Sequence, residues 1–443
     1  MLFALGSEWA EFGRQTELGN RVNRKEKQLE SPFNKSFLRE QKRRAILSEA
    51  ARLFNVHGAR ATRLSDVAEG LDLNKASLYY YIKSKDDLIY QTYEASCDAL
   101  EALVKRADTL GKSGSEKLVW FIRSYFEAWQ AIMLGERPQF AILTEIRALK
   151  PVHRKHVAAR YRALFGRIKN FIHLGIQDSS LRHCQETDAA LAIFGLVQLT
   201  VLWLPGLEPA DTDRAADDFI DIVLHGIAAD GSAGMQIPPG DKSRLRKGEL
   251  DSQRSPRQEA FCRVGSAFFN RKGFKATFLD DIADELAVTK GAFYYSVKDK
   301  DDLLHQCFER SLALMTATQE QSAACGGTGL HELQRCVLRL FEVQTGDAGP
   351  LIRFNLIPSL SASYKNKILA EIERVSDGFG ALIEKGIHDG SIRQVDPYIA
   401  EQILMTAIDL SAELPWMREI GNVAEACQSY FGFYFSGLSN TPR

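Results

Sequence analysis

Apolar residues near position 50 follow the spacing of a helix that buries one face. They recur at i, i+3, i+4 and i+7, in the order Leu47, Ala50, Ala51 and Phe54. This spacing predicts a helix that ends near Gly58. A second short apolar pattern follows Thr62, whose hydroxyl we expect to cap a helix of about two turns. After a polar break at 72–74, a third short helix is predicted from Lys75.

Two short helices joined by a tight turn are typical of a helix-turn-helix unit. The second helix of such a unit enters the DNA major groove, where small residues let the backbone approach and polar ones reach bases or phosphates. Residues 74–77 have these types, and the tyrosines and lysine that follow suit phosphate contacts. The candidate DNA-binding residues are Thr62, Asn74, Lys75, Ala76, Ser77, Tyr79, Tyr80, Tyr81 and Lys85.

The same pattern occurs again 215 residues later. Residues 50–94 align with 265–309 without a gap, and nineteen of these 45 positions are identical. Several identical residues are polar or aromatic, which favours a shared partner, although a Tyr-Tyr pair can also fill a core and an exposed lysine can simply be solvated. The second set of candidates is Thr277, Thr289, Lys290, Gly291, Ala292, Tyr294, Tyr295 and Lys300.

Each repeated segment resembles the DNA-binding domain of the tetracycline-repressor (TetR/AcrR) family of bacterial transcriptional regulators. The ordered strings at 50–54, 74–88, 289–295 and 298–303 carry the resemblance. It implies an all-α fold with two tandem units, each with an N-terminal three-helix helix-turn-helix domain and a C-terminal helical ligand-binding and dimerisation domain. The second copy departs further from the family pattern, with Phe261-Cys262 in its first helix and Ser296 at the position of Tyr81.

Composition and the repeat place the domain boundaries. A second correspondence, between 175–182 and 386–393, extends the duplication beyond the DNA-binding segment. Residues 1–35 lack sustained periodicity and precede a basic arm, Lys35–Arg44, that we expect to touch DNA. The predicted parts are an extension (1–35), a first helix-turn-helix domain (36–84), a first regulatory domain (85–230), a polar linker (231–255), a second helix-turn-helix domain (256–299) and a second regulatory domain (300–443).

The formal net charge of −1 conceals two basic segments. Residues 35–85 hold 11 Lys/Arg against 5 Asp/Glu, and residues 242–300 hold 13 against 8, which leaves −12 for the remainder. A polyanionic partner is therefore expected at these two segments, with an affinity that falls as salt rises.

In the family that the chain resembles, the helices after the DNA-binding domain enclose a small effector and pair two subunits. A small, largely apolar effector is expected here, although aromatic rings at these positions can equally fill a core. Because one chain supplies two sets of pairing helices, we expect an intramolecular pseudo-dimer that binds an imperfect palindrome, with a homodimer as the alternative. The candidate effector residues are Trp120, Phe121, Tyr125, Phe126, Trp129, Phe140, Phe341 and Phe354.

The sequence thus predicts a ligand-responsive, double-stranded-DNA-binding regulator, expected to be a repressor that its effector releases. The alternative is a protein-interaction module with degenerate helix-turn-helix units. An enzyme is disfavoured because no Gly-rich phosphate loop, nucleophile elbow or paired-carboxylate signature occurs.

No cofactor or metal is predicted, because the seven cysteines are scattered and the pair His153 and His156 lacks a third ligand. The apolar stretch 189–204 is short for a membrane span, and residues 1–5 are too few for a signal peptide core. A cytoplasmic location is therefore expected.

Overall fold

The described part of the chain is helical. The structure is a computed structural model that describes residues 32–143, 145–146, 149–230 and 254–440. Within these ranges the chain forms helices and no β-strand, apart from two isolated bridges, which confirms the predicted all-α class. None of these helices is long and apolar enough to cross a membrane.

The first copy contains eight α-helices in its described residues. Three short 3-10 helices connect the seventh to the eighth, between Thr200 and Asp211. The helices are α1 (Pro32–His57), α2 (Leu64–Glu69), α3 (Lys75–Tyr79), α4 (Lys85–Leu110), α5 (Gly114–Met133), α6 (Pro151–Gln177), α7 (Glu186–Leu199) and α8 (Thr212–His225).

The second copy repeats this order with one additional short helix, α16. A 3-10 helix (Phe354–Ser359) precedes α14. The helices are α9 (Pro256–Lys272), α10 (Leu279–Glu285), α11 (Lys290–Tyr294), α12 (Lys300–Ala324), α13 (Gly329–Thr345), α14 (Ala362–Asp389), α15 (Pro397–Ser411), α16 (Leu414–Met417) and α17 (Val423–Ser436). We call α1–α3 head 1 and α9–α11 head 2.

The three helices of each head form where the apolar spacing predicts them. Val67 and Leu78 of head 1 are buried, as are Ile282 and Phe293 of head 2, so each short helix turns one apolar face inward. The turn between the last two helices of each head places one residue at positive φ, Asp72 at 53° and Ala287 at 51°. This left-handed residue reverses the chain tightly enough to form a helix-turn-helix.

The predicted N-terminal arm is part of a helix. Lys35–Arg44 lies within α1, which begins at Pro32, so the expected boundary at residue 35 falls inside a helix. Residues 1–31 and most of the predicted linker (231–253) lie outside the described residues.

The chain divides into two compact units. Unit 1 comprises Met1–Leu103, Phe126–Ala163 and Val201–Thr212, and it includes head 1. Unit 2 comprises Val104–Tyr125, Leu164–Thr200 and Asp213–Arg443, and it includes head 2 together with the last helices of both copies. The packing of α7 of the first copy against α15 and α17 of the second copy lies within unit 2.

Candidate DNA-binding surface and the contact between the copies

Head 1 exposes the start of α3 and two tyrosines at its end. Asn74, Lys75 and Ala76 are exposed, and 48% of Tyr79 and 66% of Tyr80 is accessible. Large apolar side chains are usually buried, so two exposed tyrosines beside a lysine suit a surface that binds a partner. The other two predicted residues of this stretch, Ser77 and Tyr81, are half-buried.

Tyr80 is held between two side chains. The Arg39 guanidinium on α1 lies 5.1 Å from the centre of its ring, and the Tyr81 ring packs against it edge to face at 5.1 Å. The cation–π contact and the perpendicular ring restrict how Tyr80 can rotate. Its hydroxyl therefore projects from the surface in a restricted orientation.

Head 2 presents the same element with different neighbours. Thr289, Lys290 and Gly291 are exposed, and Ala292 is half-buried. The Lys290 ammonium forms an ion pair of 2.6 Å with Asp280 on α10, and this contact raises the pKa of Lys290.

One of the two exposed tyrosines of head 2 is more exposed than its counterpart in head 1. Tyr294 is 48% accessible, and Tyr295 is 93% accessible, against 66% for its counterpart Tyr80.

The residue that directly precedes α3, and the one that directly precedes α11, caps its helix. Asn74 Oδ1 accepts a hydrogen bond from the Ser77 N–H at 2.8 Å, and Thr289 Oγ1 accepts one from the Ala292 N–H at 3.3 Å. Both side chains therefore satisfy a free amide at the helix start. These caps fix where α3 and α11 begin.

The predicted capping role of Thr62 is wrong. Its hydroxyl donates backward, to Gly58 O at 2.9 Å and Leu53 O at 3.3 Å, and Thr277 does the same to Gly273 and Phe268. Both threonines are at most 3% exposed. They tie the end of the first helix to the following loop, and neither lies on the exposed surface of its head.

The lysines that open α4 and α12 point toward their own heads. Lys85 donates to the Arg60 carbonyl oxygen. Lys300 donates to Thr277 O at 3.1 Å and lies 4.8 Å from the centre of the Phe274 ring. Burial lowers the pKa of Lys300. These lysines bind the loop after the first helix, so they brace the heads as well as adding charge to them.

The candidate effector rings of the first copy are divided between the two units. In unit 1, the Trp129 ring lies 5.3 Å from that of Phe140, and Phe126 packs against Trp203 at 6.0 Å. All four rings are buried. The Trp129 indole N–H is also buried and has no hydrogen-bond acceptor in the described ranges, which is unusual for a buried indole.

The three remaining rings of the first copy lie in unit 2. Phe121 packs against Phe194 at 6.4 Å, and the Tyr125 hydroxyl donates to Gln198 O at 3.3 Å. Trp120 is half-buried beside the Arg106 guanidinium. These contacts are those of core side chains.

The second copy has charges in its regulatory domain. Phe341 packs against Tyr430, and the Phe354 N–H donates to Asp409 Oδ1 at 2.7 Å. Arg353, 6% exposed, pairs with Asp409 at 3.1 Å and also with Glu413. An ion-paired arginine thus lies beside Phe354, one of the two residues of this copy predicted to bind an apolar effector.

Sequence reasoning missed an asparagine that fastens each head to its regulatory domain. Asn55 donates to Phe140 O at 3.0 Å and accepts from the Ile142 N–H at 2.9 Å. Asn270 makes the equivalent bonds to Leu351 O and Arg353 N. Asn55 and Asn270 are identical positions of the repeat, and this identity at a polar position was the available signal.

Further bonds join the segment 139–142 to the helices around it. Ser48 Oγ accepts from the Gln139 N–H at 2.9 Å, and Ser96 Oγ accepts from the Ala141 N–H at 2.8 Å. Because Ser48 is on α1 and Ser96 on α4, this segment links the end of α5 to head 1 within unit 1.

Within unit 2, the ends of the two copies exchange reciprocal backbone hydrogen bonds. Arg182 N donates to Leu438 O, and Arg393 N donates to Ile227 O, both at 2.9 Å. Donors and acceptors alike are counterparts 211 residues apart. Three further pairs of contacts are related by the same offset. Ile227 N donates to Tyr434 O and Leu438 N donates to Val223 O, while Ala228 N donates to Phe435 O and Ser439 N donates to Leu224 O. The bridge Leu181↔Ser439 likewise corresponds to the bridge Ala228↔Ile392.

Two glycines allow this close approach. A Cβ on Gly226 would lie 2.4 Å from Phe435 O, and one on its counterpart Gly437 would lie 2.1 Å from Leu224 O. Both residues also have positive φ, 69° and 75°. Reciprocal contacts of this kind define an isologous interface with two-fold symmetry.

The ion pair between Asp188 and Arg418 is one of the contacts that do not follow that symmetry. Asp188 on α7 is fully buried and accepts from Arg418 Nε at 2.8 Å, Arg418 Nη2 at 2.7 Å and Ser429 Oγ at 2.7 Å. The counterpart of Asp188 in the second copy is Ile399. A charged contact therefore occurs on one side of the interface and an apolar residue on the other.

The histidine pair of the first copy contacts acids and a ring. His153 stacks on Tyr90 at 4.0 Å and pairs with Asp86 at 3.2 Å, while His156 pairs with Glu94 at 3.1 Å. In the part of the chain that the structure describes, no three His, Cys, Asp or Glu side chains converge as metal ligands would.

Two kinds of known domain match this chain. Residues 46–91 and 263–307 each match the domain described as bacterial regulatory proteins, tetR family. Residues 111–227 match the tetracyclin repressor-like C-terminal domain. Each of these two matches overlaps one head and extends into the helix that follows it, so the repeat in the sequence is a repeat of this domain.

Curated relatives match one part of the chain each. The HTH-type transcriptional repressor KstR2 of Rhodococcus jostii (strain RHA1) is 24% identical over 211 residues, which are 46% of this chain and 98% of that protein. The transposon Tn10 TetC protein of Escherichia coli is 25% identical over 146 residues, which are 31% of this chain and 68% of that protein.

A solved structure with a similar extent of match is the TetR family transcriptional regulator PfmR from Thermus thermophilus. It is 23% identical with a TM-score of 0.32, and the match covers 40% of this chain and 95% of PfmR. AibR, solved in complex with isovaleryl coenzyme A and operator DNA, is 22% identical with a TM-score of 0.35, over 41% of this chain and 97% of AibR.

Proposed function

Because this chain belongs to the tetR family of bacterial transcriptional regulators and carries the family's DNA-binding domain twice, we propose that it is a ligand-responsive repressor whose two copies pair within one molecule. In this proposal the two heads bind the two halves of an imperfectly palindromic operator. A small, largely apolar effector in the first copy then weakens that binding.

The exposed surface of α3 carries the DNA-binding part of the proposal. Lys75 and Tyr79 lie on this capped helix, Tyr80 directly follows it, and Leu78 of the same helix is buried in the core. Side chains of this kind on the second helix of a helix-turn-helix unit suit phosphate and base contacts. Thr62 and Thr277 are buried and do not belong to the exposed surface of either head, and the proposal omits these two residues.

The reciprocal hydrogen bonds between the ends of the two copies support the pairing. Each bond has a counterpart 211 residues away, as expected when two equal subunits pair through one surface. Gly195 of α7 lies so close to Leu410 of α15 that a Cβ there would be 2.6 Å from Leu410 Cδ1. Helices that approach this closely exclude water along the contact.

The effector site proposed here is the aromatic cluster of unit 1. The buried, unsatisfied Trp129 indole N–H supports it, because a ligand acceptor would remove the cost of that unpaired group. Phe140 of the same cluster belongs to the segment that Asn55 fastens to head 1. A ligand that displaces Phe140 would therefore shift the anchor of the head.

The repressor role follows KstR2, which is named a transcriptional repressor. The competing proposal is a protein-interaction module whose heads no longer read DNA. The two differ in whether the chain binds promoter DNA with a strong dependence on salt.

The test selects genomic fragments bound by the purified chain and then measures binding of the best fragment by fluorescence anisotropy. We expect Lys75→Ala with Tyr79→Ala to weaken binding at least tenfold, at roughly 1 kcal/mol or more for each lost contact. Lys367→Ala, which removes a lysine of the regulatory helix α14, is the control and should leave binding unchanged. The absence of any salt-dependent complex would favour the protein-interaction module.

A further inference from the structure

The two heads have equivalent backbones but different charges. Residues 62–85 contain four Lys/Arg and three Asp/Glu, whereas the equivalent residues 277–300 contain three Lys/Arg and five Asp/Glu. The formal net charge of residues 277–300 is thus three units more negative than that of residues 62–85. Phosphate contacts supply most of the sequence-independent affinity for DNA. A difference of charge in the helices that would contact phosphates therefore has a large effect on that affinity.

One of the added acids contacts the lysine expected to meet the phosphates. Asp280 of α10 lies 2.6 Å from the Lys290 ammonium. The equivalent residue of head 1 is Ser65, and Lys75 forms no ion pair with any described residue. A phosphate approaching Lys290 must therefore displace or approach a carboxylate, whereas one approaching Lys75 meets an unpaired ammonium.

Two other substitutions act in the same direction. Arg63, exposed at the start of α2, is replaced by Phe278, which is 63% exposed. The ring of Tyr81, which packs against Tyr80 in head 1, is replaced by Ser296. The counterpart of Arg39, Arg254, is turned to Glu309 at 3.4 Å, so Tyr295 lacks both neighbours that hold Tyr80 and is 93% exposed.

We propose that head 2 binds DNA phosphates more weakly than head 1 because Asp280 forms an ion pair with Lys290. The chain then recognises an operator with one strongly and one weakly bound half. This inference rests on the proposed function. In this proposal Asp280 limits the affinity of head 2 for DNA. The two half-sites then differ in the strength of their phosphate contacts as well as in sequence. The chain then binds its operator in one preferred orientation.

The test exchanges the residues at this position between the heads. Asp280→Ser gives head 2 the residue of head 1, and Ser65→Asp gives head 1 the residue of head 2. Glu320→Ser makes the same change of charge at an exposed position of α12 outside both heads. Each variant of the full chain is titrated with the selected operator over a range of KCl concentrations, and its thermal melting is recorded to confirm that it is folded.

We expect Asp280→Ser to raise operator affinity about tenfold and to steepen the dependence of log Kobs on log[KCl] by about 1, because one more ammonium becomes available to displace counterions. Ser65→Asp should lower both quantities by similar amounts, and Glu320→Ser should change affinity less than about twofold. Equal effects of Asp280→Ser and Glu320→Ser would overturn the inference while leaving the proposed function intact. Absence of salt-dependent binding by the unsubstituted chain would instead overturn the proposed function, and this inference with it.

Discussion

Replacing Arg418 by leucine tests whether the ion pair between Asp188 and Arg418 stabilises the contact between the two copies. Asp188 is fully buried and would lose two of its three hydrogen bonds, keeping only the one from Ser429. Leaving a buried carboxylate without its cation costs about 3–5 kcal/mol. Because the Arg418 side chain retains 30% of its exposure in the pair, we take the lower end, about 3 kcal/mol.

The assay is hydrogen exchange of the amides of α7 and α17, detected by mass spectrometry. A loss of about 3 kcal/mol in the free energy of opening speeds their exchange roughly 100-fold. Arg374→Leu is the matched control, since the Arg374 side chain is 69% exposed and pairs with Glu371, one turn away on α14. Its removal should cost less than about 1 kcal/mol.

The double variant Asp188→Ile with Arg418→Leu tests whether apolar residues can replace the ion pair. Ile is the residue that the second copy carries at this position, Ile399, and a buried ion pair replaced by apolar residues is close to neutral. Exchange should therefore return to within about tenfold of the unsubstituted chain. Exchange in Arg418→Leu no faster than in Arg374→Leu would refute the claim that this pair stabilises the contact.

Three other variants test separate parts of the structure. Burial raises the pKa of Glu401 to about 7 from 4.5, so the folded state binds this proton more tightly. The contribution of Glu401 to stability is therefore fully present below pH 4.5 and is lost as pH rises through 7, by up to about 3 kcal/mol. Glu401→Gln should abolish that loss between pH 5 and pH 8 in thermal melting, and an unchanged pH profile would contradict the assignment. Asn55→Ala removes the hydrogen bonds that this side chain makes to the Ile142 N–H and to the Phe140 carbonyl, which we expect to cost about 2 kcal/mol and to speed hydrogen exchange at 139–143 but not at α15. Thr62→Val should lower the melting temperature of head 1 without changing the salt dependence of operator binding, because this hydroxyl bonds inward; a shallower salt dependence would restore Thr62 to the DNA contact.

The helices of both heads could be predicted because their signals are local. Apolar residues at helical spacing set the buried face of α1, and an Asn or Thr before a lysine sets the start of α3 and α11. The direction of the Thr62 bond could not be predicted in the same way. A hydroxyl between two helices can cap the second or bind the last carbonyls of the first, and only the packed loop decides which.

The contact between the copies depends on residues far apart in the sequence. Asp188 and Arg418 are 230 positions apart, and nothing in the local pattern of either pairs them. A carboxylate directly before the apolar stretch 189–204 was nevertheless a sign of a buried partner. The reciprocal bonds at 226–228 and 437–439 join main-chain atoms, which have no side-chain signature apart from the glycines that permit the approach.

The mass of the complex with operator DNA tests the intramolecular pairing most directly. Native mass spectrometry of the chain with a fragment containing both half-sites should give one chain per duplex, at protein concentrations well above the dissociation constant. One chain per duplex with both heads protecting DNA from cleavage is the result that the pairing predicts. Two chains on each operator, each protecting one half-site, would contradict it.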